Sequence, residues 1–155
     1  MSKIPAPVAE FLSHRHIAVA GVSRDSAQPA NAIYRKLRDS GHQVFAVNPN
    51  ATQVEGEACY TDLRSIPVPI EAVVIVTPPD VALRLVRECA ELGIRQVWFH
   101  RSFGQGSVSE EAVQECERRG MDCLVGGCPM MYCEPVDIAH RCMKWMLKMR
   151  HRVPG

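Results

Sequence analysis

Ile17-Ala18-Val19-Ala20-Gly21-Val22 runs directly into Ser23-Arg24-Asp25, and this junction decides how the rest of the chain reads. Six apolar or small residues without polar alternation are what a strand buried on both faces requires. The polar residues that follow mark a turn at its carboxyl end. Four similar runs lie downstream: VFAVN (Val44–Asn48), AVVIVT (Ala72–Thr77), VWFH (Val97–His100) and CLV (Cys123–Val125). The five runs start at residues 17, 44, 72, 97 and 123, an almost constant interval.

Helical patterns fill the intervals. Ala30, Ile33, Tyr34 and Leu37 share one helical face, Pro29 suits the first turn, and Gly41 closes the end. Thr77-Pro78-Pro79-Asp80 has capping-box spacing and opens a second helix with the stripe Ala82, Leu85, Val86 and Cys89, ended by Gly93. Ser107, with Glu110 three residues on, opens a third, which buries Ser109, Ala112, Val113 and Cys116 and stops at Gly120. Residues 49–71 read as loop, with one turn at Asp62–Ser65. Helices at Val8–Ser13 and Val136–Arg150 flank the repeat. The last of these sets Ile138, Cys142, Trp145, Met146 and Met149 on one side, which reads as its packing face opposite a solvated basic side. Alternating strands and helices imply parallel strands joined by right-handed crossovers. The expected fold class is α/β: a Rossmann-like, open, doubly wound, parallel five-stranded sheet with helices on both faces, in the order 3-2-1-4-5.

The chain has 155 residues and a mass of 17.2 kDa, which predicts one domain over 1–155 with its core at about 10–130. Apolar residues make up 46% and charged residues 23%, so disorder is excluded as the general state. A net charge of +1 argues against a fold-wide grip on nucleic acid or an anionic membrane. No apolar run reaches the ~18–20 residues that span a bilayer, and the first residues lack a secretory apolar core. The expectation is a cytoplasmic protein. Seven cysteines, an odd number, then read as buried thiols and not as a disulfide framework. Cys128, Cys133, His140 and Cys142 follow C-x4-C-x6-H-x-C, which matches no standard zinc spacing, so no metal site is assigned.

In such sheets ligands bind beyond the carboxyl ends of the strands, where strand order reverses. For the expected order that is the edge after strands one and four. The chain delivers Gly21, Val22, Ser23 and Arg24 there from strand one, Asn48 and Pro49 from strand two, and Thr77, Pro78 and Pro79 from strand three. Strand four adds His100, Arg101 and Ser102, and strand five adds Gly126, Gly127 and Cys128. Backbone N–H groups in the first turn of the helix at Pro29–Ser40 suit a phosphate. The dinucleotide fingerprint is missing: the turn holds one glycine, and Asn48 stands where an acid is needed. There is no G-x-x-x-x-G-K-[ST] either, so a P-loop is excluded.

The ordered set AGVSRD, N-x-x-Y-R-x-L, GHQVFAVNPNATQVEGEACYTDL, VVIVTPP, GIRQVWFH and GMDCLVGGCP resembles the stand-alone CoA-binding domain proteins. It is similar also to the CoA-binding half of the succinyl-CoA synthetase alpha subunit. The resemblance covers about residues 10–130. It implies coenzyme A or an acyl-CoA lying across the strand ends. By position, it puts Val22, Ser23 and Arg24 along the phosphates and Asn48 and Pro49 beside the nucleotide. Thr77, Pro78 and Pro79 would meet the adenosine or pantetheine arm, with His100 and Arg101 nearby. Family members often carry a Lys and a Gly before the first long helix. Gln28 and Ala30 occupy those places here, and Asn31 is kept. A phosphate cation and a permissive backbone position are thereby lost; Arg24 or Arg101 could supply the charge.

Each residue also has a plainer reading. Gly21 could only relieve crowding between strand and helix. Ser23 and Thr77 could be caps, Pro78-Pro79 a helix start, and Arg24 and Arg101 solvated surface. His100 has no paired acid in sequence and reads as structural before general base. Cys128 is either an accessible thiol near the ligand's own or a buried residue turning the chain into Pro129. No Ser/His/Asp set, H-E-x-x-H or paired carboxylates stand out, so no catalytic residue is assigned. A non-catalytic binding or regulatory module is the first expectation, with a possible homodimer or partner enzyme. A nucleotide-dependent oxidoreductase or transferase, and a thiol-based redox or metal sensor, are the alternatives.

Overall fold

A computed structural model describes residues 4–101, 106–133, 138–151 and 153–154. Ser102 and the expected start of the last helix at Val136 lie outside them. The elements are α1 (Ala6–Phe11), β1 (His16–Ala20), α2 (Pro29–Asp39), β2 (Gln43–Val47), β3 (Gln53–Val54), β4 (Glu57–Tyr60), β5 (Ala72–Ile75), α3 (Pro79–Glu91), β6 (Gln96–Phe99), α4 (Glu110–Arg118), β7 (Asp122–Val125) and α5 (Ile138–Met149), with a 3-10 turn at Pro129–Met131 before α5.

The sheet is doubly wound, as expected, but has seven strands in the order β3-β4-β2-β1-β5-β6-β7. The expected order placed the third long strand, β5, outside β2. Instead β5 pairs with β1, Ile17 against Ala72. The outer edge of β2 is already taken by β4, in the segment read as loop: Ala46 pairs with Cys59, and β4 folds back on β3. The predicted turn at Asp62–Ser65 is present, with Asp62 Oδ1 accepting from Ser65 N at 2.8 Å. Strand order therefore reverses between β1 and β5, and the ligand-binding crevice of such a sheet belongs there.

Strand alternation separates two cores. Ile17 and Val19 join Ile33, Tyr34, Leu37 and Trp98 on the α2 face. Ala18 and Ala20 join Leu85, Val86, Phe99 and Cys116 on the α3–α4 face. Fully buried Trp98 anchors the first, meeting Phe11 edge-on at 5.4 Å and donating its indole N–H to Gly126 O at 2.9 Å.

Three local expectations change. Ser109, not Ser107, caps α4, accepting from Ala112 N at 3.3 Å. Cys116 and Cys123 form a disulfide between α4 and β7, across the reversal at Gly120; Cys59, Cys89, Cys128 and Cys133 are buried thiols, as read. The third change is α5, whose expected packing face points outward. Ile138's side chain is outside those described; among the rest, Leu147 is the buried residue, while Cys142, Trp145, Met146 and Met149 are exposed. Leu147 and Met143 contact the core from the side opposite the more apolar stripe.

Candidate functional site

Gly21 ends β1 against the carboxyl end of β5. Its φ is +106°, and a Cβ there would lie 2.2 Å from Val76 O, so only glycine fits. Crowding between two strands requires this residue, whatever else lies near it. From here the chain enters Val22–Gln28, whose polar groups hold the loop itself. Ser23 Oγ accepts from Asp25 N at 3.0 Å, a turn cap. Asn31, buried on α2, accepts from Ser23 N at 2.8 Å and donates to Ser23 O at 2.7 Å and Glu55 Oε1 at 2.9 Å. Glu55 is held in turn by Arg35 at 2.7 Å. Asn31 and Ala32 already donate their amides to Gln28 O, which leaves the start of α2 a weaker phosphate site than the sequence suggested. Asn48 is equally engaged: its Nδ2 donates to Val22 O at 2.9 Å and its Oδ1 accepts from Asn50 N at 2.9 Å. Val22 is wholly buried, and Arg24 is exposed at the loop surface.

At β5, Thr77 donates its amide to Ser107 Oγ at 2.8 Å, and that hydroxyl donates back to Thr77 O at 2.6 Å. Ser107, read as a helix cap, instead fastens the loop before α4 to the β5 edge. Thr77 does not cap α3, whose start is Pro78 and Pro79 without a side-chain cap. Neither proline carries an N–H, so this helix start offers an apolar surface and few donors. On the far side of β5, His100 is buried, and burial first, then the charge of His140, pushes its pKa down to about 4. It is neutral at physiological pH. Arg101, half-buried, donates its backbone N–H to Gly127 O at 3.0 Å. Cys128 is only 3% exposed, so the reading of an accessible thiol at this edge is withdrawn; Cys142 is the exposed free thiol among the described cysteines.

A cavity of about 870 Å³ opens over β1, β2 and β5 on the α3 side. Gly21, Asn48, Pro49, Thr77 and Pro78 line it, which brings five of the twelve sequence-selected residues together. Val22, Ser23, Arg24, Asn31, Pro79, His100 and Arg101 do not line it. Its opposite wall comes from residues the sequence reading passed over: Arg64 from the 61–70 loop and Val81, Arg84, Arg87, Glu88 and Glu91 from α3. Charge on this wall is unevenly committed. Glu91 pairs with Arg64. Glu88 accepts the amides of Leu63 at 2.9 Å and Arg64 at 3.2 Å. Arg87 reaches the buried Glu115 at 3.7 Å. Arg84 makes no ion pair among the described residues. The cavity has the volume of a nucleotide site, an apolar helix start, backbone-lined turns and, among the described residues, one guanidinium without an ion-pair partner. These residues fit an elongated ligand with an apolar arm and an anionic end. Among the described residues no three His, Cys, Asp or Glu side chains group to hold a metal.

Comparison with known proteins gives a consistent result. The family model described as "CoA binding domain" matches residues 15–134. The alpha subunit of acetate–CoA ligase (ADP-forming) II from Pyrococcus furiosus is 29% identical over 106 residues, which are 68% of this chain and 23% of that one. Acetate–CoA ligase (ADP-forming) I from Archaeoglobus fulgidus is 30% identical over 116 residues, 71% of this chain and 17% of the relative. The chain thus spans less than a quarter of the length of these two relatives. Among solved structures, a hypothetical protein from Pyrococcus horikoshii superposes with a TM-score of 0.76 at 25% identity, covering 88% of this chain and 98% of its own.

Proposed function

The chain belongs to the CoA-binding domain family, and from that premise we propose that it binds coenzyme A or an acyl-CoA in the cavity between the β1–β5 edge and α3. Arg84 carries the reading. It is the cavity arginine with no carboxylate partner among the described residues, and an anionic ligand is what such a group would take. Gly21 lets the ligand approach the β1 backbone. Asn48 and Pro49 border the nucleotide, Thr77 and Pro78 give the pantetheine arm an apolar rest, and Pro79 sets the start of α3 behind them. Arg24, His100 and Arg101 follow strand ends of the same sheet edge without lining the cavity; Val22, Ser23 and Asn31 shape the loop and do not touch the ligand. We read the chain as a binding or regulatory module, with chemistry left to a partner enzyme. The nicotinamide alternative is disfavoured by Asn48, whose side chain is fully engaged where a ribose-binding acid is needed.

A ligand that binds only the folded state stabilises it by mass action, about 2.7 kcal/mol at one hundred times its Kd. CoA is therefore expected to raise the melting temperature, and NAD to leave it nearly unchanged. A shift with NAD or NADP and none with millimolar CoA would make the oxidoreductase reading the better one.

A further inference from the structure

The outer side of α5 carries apolar surface that no described residue covers. Its inner side rests on the body through Met143 and Leu147, with the Lys144 ammonium 4.4 Å from the Tyr132 ring centre. Its outer side presents Cys142, Trp145, Met146 and Met149 at helical spacing, with Trp145 65% and Met149 68% exposed. The other exposed large apolar residues described, Ile4 and Leu92, are single residues on other segments. At ~100° per residue the four fall on one arc opposite Leu147. Exposed Arg141 and Lys148 border that arc on one side and Arg150 on the other, none of them in an ion pair among the described residues. From Ile138 to the end the sequence holds no acid, although the whole chain nets only +1. The positive charge is concentrated around the apolar ridge.

We propose that α5 is a membrane-surface element that lays this ridge into the headgroup boundary of an anionic bilayer. The whole-chain charge suggested no membrane contact; the local distribution reverses that. No helix described is long and apolar enough to cross a bilayer, and lying on one makes no such demand. The charge pattern selects the occupant. A second copy apposed through the ridge would set cation against cation. A protein groove would need an acidic rim on both sides of a slot shaped to a convex ridge. An anionic lipid surface supplies negative charge on every side and yields to a convex apolar crest, with Trp145 at interfacial depth. The proposal does not depend on the CoA reading.

The native protein carries its own reporter, because Trp98 is fully buried and Trp145 is not. With phosphatidylglycerol–phosphatidylcholine vesicles at low salt, the protein is expected to co-sediment and its emission to shift to the blue. Brominated acyl chains should quench Trp145. Pure phosphatidylcholine and high salt should abolish all three effects. Lys148→Glu removes one cation and adds one anion, and should lower the partition coefficient roughly 25-fold, at about fivefold per charge. Trp145→Ala should remove the blue shift, and melting curves should report both variants as folded. Failure to bind anionic vesicles, or equal binding to neutral ones, overturns the proposal. So does a lipid-free dimer abolished by Trp145→Ala, or quenching of Trp145 by a protein titrant when vesicles leave it unchanged. Should a variant not fold, the brominated-lipid and salt series on the native protein decide alone.

Discussion

Around the loop after β1, Ser23 in the loop, Asn31 on α2 and Asn48 after β2 all end on partners within the chain. Across the cavity on α3, Arg84 ends on none among the described residues, while Arg64 and Arg87 are held by Glu91 and Glu115. The strand-end side, with the loop behind it, is a self-satisfied frame, and the α3 wall keeps a charge in reserve. The polar residues most conspicuous in sequence, clustered at strand ends, are those the fold needs for its own turns. The residue best placed to meet an anion sits at an ordinary exposed helix position. A frame and a contact surface predict different mutational behaviour: the first should fail by unfolding, the second by losing affinity.

Gly21→Ala tests the frame most severely. The new Cβ would meet Val76 O and the backbone would be held at positive φ, so a loss of about 3–4 kcal/mol is expected in denaturant unfolding. A loss under about 1 kcal/mol would show that the β1–β5 edge can relax, and the contrast between the walls would weaken.

His100 gives the next effect. The unfolded chain takes up a proton near pH 6.5, but the folded protein resists until about 4. Its contribution is therefore full above pH 6.5 and is lost progressively as pH falls toward 4, by up to about 3 kcal/mol. His100→Gln should flatten that part of the stability curve relative to the native protein. Identical pH dependence in the two would mean that His100 is protonated without cost and so is not held neutral by the frame.

Asn31→Ala leaves Ser23 N–H and Ser23 O without their partner and frees Glu55 from one contact. A loss of about 2 kcal/mol is expected, for two part-buried backbone groups left without their partner. CoA should still bind once the variant is folded. A stable variant with abolished CoA binding would move Asn31 from the frame to the contact surface.

The five long strands were legible because strands buried on both faces leave continuous apolar runs, and the glycines at 41, 93 and 120 mark the helix ends. The β3–β4 hairpin was not. β3 has only two residues, and Gln53 and Glu57 are exposed, so neither periodicity nor an apolar run appears. Missing it hid the covered edge of β2 and gave the wrong strand order. α5 was located but turned the wrong way, because a periodicity reading assigns the more apolar face to the core, and here that face is outside. The strand-end half of the candidate site was legible from topology. The α3 half was not, since Arg84 and Arg87 look like any solvated helix face. The available signal was Val81, Arg84, Leu85 and Glu88 at helical spacing immediately after Pro78-Pro79, a cationic position on the flank of the buried stripe.

Calorimetric titration of CoA into the native protein and Arg84→Ala, with denaturation curves for both, tests the central claim most directly. CoA is expected to bind the native protein and to bind Arg84→Ala more weakly by about 1.5–3 kcal/mol, the scale of a hydrogen bond to a charged group. The two unfolding curves should coincide, since an exposed arginine adds little to stability. An unchanged Kd in Arg84→Ala, or no CoA binding to the native protein while NAD binds, would contradict the account.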